Sequence, residues 1–159
     1  MSVKALIFDL DDTLMDTHGQ LVYRAHKEAC IAMQEEGVQE SLPTLLERRL
    51  QFLQTNPKED VNTLLAHYFG YQEPRIIQAG FEAYYNTEIK DISPFPGVPE
   101  LLHELQKNFK LFLVTSGSYP TQKKKVQVLQ LEPFFEEIYY SDIHNSLGKQ
   151  TAFQEVITQ

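Results

Sequence analysis

Three short apolar runs punctuate the chain, each ending in charged or turn-forming residues. Residues 3–9, VKALIFD, make the nearly continuous apolar stretch of a strand buried on both faces of a parallel sheet. Residues 110–115, KLFLVT, repeat the pattern and run into Ser116, Gly117 and Ser118, with Pro120 where a helix can begin. Residues 137–142, EIYYSD, are the weakest of the three. Helical periodicity separates them, in PGVPELLHELQKN before the second run and PTQKKKVQVLQL before the third. The alternation predicts βαβ units, hence an α/β fold with a parallel sheet.

Residues 15–93 break this alternation with four helical stretches and no strand. QLVYRAHKEACIAMQEEG has apolar residues at helical spacing, with Gly37 as its C-terminal cap. Ser41 precedes LPTLLERRLQFL, Pro57 opens KEDVNTLLAHYFG, and EPRIIQAGFEAYYNTEI is the fourth. SPFPGVP then makes a stiff connector back to the sheet. The expected organisation is therefore a sheet core over 1–14 and 94–159 with a helical module over 15–93.

With 159 residues, 42% of them hydrophobic, the chain suffices for one compact domain plus a modest insertion. No apolar run approaches the roughly 20 residues of a membrane span, and no signal peptide opens the chain, so a cytoplasmic location is expected. The single Cys30 excludes an internal disulfide and is expected to fill a helix face. A net charge of -8 argues against nucleic-acid binding, which needs clustered Lys and Arg. An acidic protein can still hold a small phosphate through locally placed donors or a metal ion.

Candidate chemistry gathers where the strands end. Ligands bind at the carboxyl ends of parallel strands, and the first run ends in FDLDDTL. Asp9 and Asp11, separated by one residue, can turn to one side, where a cation or a shared proton offsets their repulsion and a hard divalent metal is the natural partner. The string LIFDLDDTL resembles the first motif of the haloacid dehalogenase superfamily, an apolar strand followed by DxDx[TV][LV]. That resemblance implies a Rossmann-like core and an aspartyl-phosphate intermediate on Asp9, with Asp11 protonating the leaving oxygen and later activating water. It also implies magnesium held by Asp9 and by Asp11 through its backbone carbonyl. LFLVTSGS resembles the second motif, so Thr115, with Ser116 and Gly117, is expected to hold phosphate. Lys149 in SLGKQTAF resembles the lysine that offsets charge between nucleophile and phosphate, although the family often has Lys-Pro there. Lys123, Lys124 and Lys125 read as a solvated helix face.

The helical module has the position of the family's cap, which closes over the site and selects substrate. His18, Arg24, Arg48, Arg49 and Arg75 read as surface residues, and Tyr84 and Tyr85 as core or interface aromatics. The family's fourth motif, an acidic pair after one more strand, does not occur, so the chain is expected to be truncated. Magnesium should then bind weakly unless Asp12 or Asp142 substitutes. The 3–9 strand should leave an apolar edge prone to self-association. The resulting expectation is a magnesium-dependent phosphatase acting on a small phosphorylated metabolite, such as a sugar phosphate or nucleotide, without nucleic-acid or membrane partners. A phosphomutase or a catalytically deficient phospho-ligand or partner-binding remnant are the alternatives.

Overall fold

The computed structural model describes residues 3–141 and 148–158. The chain divides into two compact units, Met1–His18 with Ile89–Gln159, and Gly19–Glu88. The division falls at 18/19 and 88/89 rather than 14/15 and 93/94. Thr17 and His18 are hydrogen-bonded back to Asp11 and Asp12, and Met15 bridges to Pro94.

In the sheet unit, β1 (Ala5–Phe8), β2 (Lys110–Ser116) and β3 (Glu137–Ser141) form a parallel sheet in the order β1-β2-β3. Ala5 pairs with Lys110, Phe112 with Glu137 and Ser116 with Ser141. Every side chain from Leu111 to Thr115 is buried, so the two-sided burial expected of β1 belongs to β2. β1 is half-buried, with Ile7 at 38% exposure, because it pairs on one side only among the described residues. Among the described residues this unit also carries the helices α5 (Val98–Gln106), α6 (Tyr119–Val128) and α7 (Gln150–Thr158).

After β1 the chain separates its side chains by polarity. Leu10, Leu14 and Met15 go inward, while Asp9 and Asp11 stay partly exposed and Asp12 exposed. The amides of Thr13 and Leu14 both donate to the Leu10 carbonyl, closing a tight turn. Asp12 occupies the left-handed region at φ 55°, a conformation that aspartate tolerates better than most residues.

The helical unit contains α1 (Tyr23–Glu35), entered through a π-helical turn at His18–Val22, then α2 (Leu42–Thr55), α3 (Val61–Tyr68) and α4 (Pro74–Tyr85). Gly37, at φ 118°, ends α1 as its pattern predicts, and the Val38 amide returns to Met33 O at 3.1 Å. The third helix starts later than Pro57, because the Asp60 carboxylate caps it by accepting from the Thr63 amide at 2.8 Å. Cys30, Met33, Leu45, Leu65 and Ile76 form the core, with Cys30 filling a helix face. Arg49, read as a surface residue, is fully buried. It donates to His26 Nδ1 at 3.0 Å and Asn62 Oδ1 at 2.8 Å, and Asn62 in turn donates to Asp60 Oδ1 at 3.2 Å. Arg48 lies over the Tyr68 ring and Arg75 pairs with Glu36, so their charges are met locally.

Gly80 is where this unit is tightest. A Cβ there would lie 2.7 Å from Asn62 Oδ1 and 3.0 Å from Met33 Cγ. Gly80→Ala should therefore destabilise the protein by about 1–3 kcal/mol despite alanine's better helix propensity. Chemical denaturation checks this, and an unchanged or raised midpoint would disprove the close packing. No helix among the described residues is long and apolar enough to cross a membrane.

Candidate active site

The carboxyl ends of β1 and β2 and the start of the helix Gln150–Thr158 bring four sequence-predicted residues into two groups. Asp9 follows β1 directly, and its Oδ1 accepts from the Leu10 amide at 2.8 Å and from Lys149 Nζ at 2.7 Å. Lys149 stands at the start of α7 (Gln150–Thr158), where its carbonyl accepts the Phe153 amide. Asp9 Oδ2 has no partner among the described residues, and the side chain is 45% exposed. One carboxylate oxygen is thus held while the other is presented to solvent.

The second group centres on Asp11. Its Oδ1 accepts from Thr17 Oγ1 at 2.5 Å and from Lys125 Nζ at 2.7 Å, and its Oδ2 accepts from Gln122 Nε2 at 2.7 Å. The same Gln122 nitrogen lies 2.6 Å from Thr115 Oγ1 and 2.9 Å from the Ser116 carbonyl. Burial disfavours charge on Asp11. The hydrogen bonds from Lys125, Thr17 and Gln122 together with the Lys125 charge outweigh it, holding the carboxyl below its ordinary range.

Lys125 corrects the solvated-face reading, because its side chain is only 8% exposed. On α6 (Tyr119–Val128), Gln122, Lys125, Val126 and Leu129 are buried while Lys123 and Lys124 are exposed. The spacing i, i+3, i+4, i+7 is that of a buried helix stripe. That spacing was the available signal for Gln122 and Lys125; the run of three lysines concealed it.

Other expectations fare differently. The Gly117 amide donates to the Ser141 carbonyl at 3.1 Å, so it is already engaged within the sheet unit and not offered to phosphate. Asp12 accepts from the amides of Thr17 and His18 and from His18 Nδ1 at 2.6 Å, which makes it a cap for the following turn rather than a replacement metal ligand. Asp142 lies outside the described residues. Among the described residues no cluster of three or more His, Cys, Asp or Glu side chains could hold a metal ion. In the helical unit, the Arg24 guanidinium donates to the Glu88 carbonyl, and Tyr84 packs on His26 with ring centres 4.9 Å apart.

Known proteins share this arrangement of elements. A glyceraldehyde 3-phosphate phosphatase of Methanothermobacter thermautotrophicus is 32% identical over 144 residues, covering 88% of this chain and 63% of the relative. The chain thus spans somewhat less than two thirds of that protein's length. Among solved structures, a haloacid dehalogenase-like family hydrolase from Xanthomonas campestris superposes with a TM-score of 0.61 at 19% identity, covering 98% of this chain and 67% of that one. A magnesium-bound HAD-hydrolase from Bacillus subtilis gives 0.52 at 22% identity, covering 89% and 64%. The family of haloacid dehalogenase-like hydrolases matches residues 6–158, a span that includes Asp9, Asp11, Thr115 and Lys149. With the strand-end aspartates, the parallel sheet and that match in agreement, the chain belongs to the haloacid dehalogenase-like hydrolase family.

Proposed function

We propose that this chain carries the phosphoryl-transfer site of a magnesium-dependent phosphatase acting on a small phosphate monoester. The observation that carries the reading is the pairing of a half-presented Asp9 with Lys149, beside an Asp11 that Gln122 joins to Thr115. Sugar phosphates are the favoured class, in keeping with the relative that acts on glyceraldehyde 3-phosphate. The setting is cytoplasmic, and the helical unit Gly19–Glu88 serves as the substrate-selecting cap.

In the first step Asp9 Oδ2 forms a bond to phosphorus while the bond to the leaving oxygen breaks, and Asp11 gives that oxygen a proton. Asp11 is a carboxylate without ligand. The negative charge of an arriving phosphate opposes ionisation and favours the protonated form that this step requires. In the second step water attacks phosphorus, Asp11 takes its proton, and inorganic phosphate leaves with Asp9 restored. Lys149 offsets charge between Asp9 and the phosphoryl oxygens throughout, and the Thr115 hydroxyl holds one of those oxygens.

Magnesium takes oxygen ligands, commonly one or two carboxylates plus phosphate and water. The Asp9 carboxylate and the Asp11 backbone carbonyl would hold it, and with no cluster of three carboxylates among the described residues, water and substrate oxygens would complete its ligands. When bound, it supplies positive charge against the phosphoryl group. The decisive experiment is release of phosphate from glyceraldehyde 3-phosphate, other sugar phosphates and nucleotides, with and without magnesium. Turnover that requires the metal and prefers the sugar phosphates is expected. Inactivity on the whole panel would refute the reading.

A further inference from the structure

Gln122 has an orientation that chemistry alone decides. The end of its side chain lies near the Asp11 carboxylate at 2.7 Å and the Ser116 carbonyl at 2.9 Å, and both partners only accept hydrogen bonds. The amide nitrogen must face them, because the amide oxygen in its place would meet two acceptors. That fixes the remaining bond too. That nitrogen has two protons for three acceptors, so one proton is shared, and because it has no lone pair to offer, the Thr115 hydroxyl 2.6 Å away can stand towards it only as an acceptor.

A hydroxyl has one proton and two lone pairs. With one lone pair engaged by Gln122, the proton of Thr115 points elsewhere, and no acceptor for it lies within reach among the described residues. The side chain is fully buried, so an unmet donor there has a cost that an incoming oxygen would relieve. The backbone is also shaped around Gln122. Gly117 sits at φ 145°, and a Cβ on it would come within 3.1 Å of Gln122 Cγ and 3.2 Å of Cδ.

We propose that Gln122 is a positioning residue for the phosphoryl site, binding Asp11 and Thr115 into one unit and compelling the Thr115 hydroxyl to donate to a phosphoryl oxygen. This rests on the phosphatase reading above. Without the Gln122 amide nothing engages the Thr115 lone pair, so the orientation of the hydroxyl is no longer fixed and the site loses a positioned phosphate donor.

The test is a double-mutant cycle on inorganic phosphate binding in the presence of magnesium, followed by the 31P linewidth, with circular dichroism confirming the fold of each variant. Gln122→Met keeps the shape and removes the donors. It should weaken phosphate binding about tenfold, as the loss of one hydrogen bond to a charged group predicts. Thr115→Val should do the same, and the double variant should be little worse than either. Gln122→Glu, which presents acceptors to Asp11, should also lose binding and decides the matter if the Met variant does not fold. Full additivity would mean that Gln122 does not act through Thr115, and unchanged binding by Gln122→Met would remove its role altogether; either overturns the inference while leaving the phosphatase reading intact. Failure of the unmodified chain to bind phosphate would overturn both.

Discussion

Asp9→Asn is expected to abolish phosphate release, with kcat falling on the order of 10⁴-fold or more, as for loss of a catalytic nucleophile. The substitution keeps the shape of the side chain and its capacity to accept from Lys149 and the Leu10 amide, the two bonds that hold Asp9 Oδ1. What disappears is the carboxylate oxygen presented on the other side, since an amide offers a neutral, far weaker nucleophile or a nitrogen with no lone pair to give. The loss of a carboxylate also weakens magnesium, so the comparison is made at saturating metal, where removing one negative charge beside an anionic ligand should leave phosphate binding equal or tighter. The expected signature is therefore a collapse in kcat with KM unchanged or lowered. A variant keeping more than a tenth of the rate would show that the bond to phosphorus forms elsewhere.

The half of the site that can be read from the sequence lies on strand ends. Asp9 and Asp11 follow an apolar run, and Thr115 closes another, so their placement needs only the direction of parallel strands. Lys149 is less local, yet the helix start that carries it delivers its ammonium to Asp9. Gln122 and Lys125 were not legible in the same way. A lysine within KKK reads as solvated until the helix phase is fixed, and only the buried neighbours Val126 and Leu129 fix it. Arg49 escaped for the converse reason, because Arg48 and Arg49 are adjacent and composition cannot say which one turns inward. The parallel pairing followed from alternation, whereas the burial of β1 did not, since it depends on what lies along both sides of the strand.

Arg49 also makes the helical unit sensitive to acid through His26. Its Nε donates to His26 Nδ1, which requires a neutral imidazole with that nitrogen unprotonated. Burial of His26 first, and the Arg49 charge second, lower its pKa from 6.5 to about 4. Between those two values the unfolded chain binds a proton that the folded one refuses, so stability is complete above about pH 6.5 and falls as the pH drops towards 4. The loss is on the order of 3 kcal/mol across the window. Asp11, Asp12 and Asp60, whose pKa values are lowered, add acid sensitivity only from around the ordinary aspartate range downward, which leaves most of the interval to His26. Thermal melts at pH 7 and pH 4.5, followed by near-ultraviolet circular dichroism of the tyrosines, would record the change where Tyr84 packs on His26. His26→Gln keeps an acceptor for Arg49 without a titrating group, so it should melt at nearly the same temperature at both pH values while the parent protein loses several degrees. Equal pH dependence in the two proteins would show that the Arg49–His26 bond does not govern the acid response; a flat response in the variant alone identifies this buried bond as the pH-sensitive element of the helical unit.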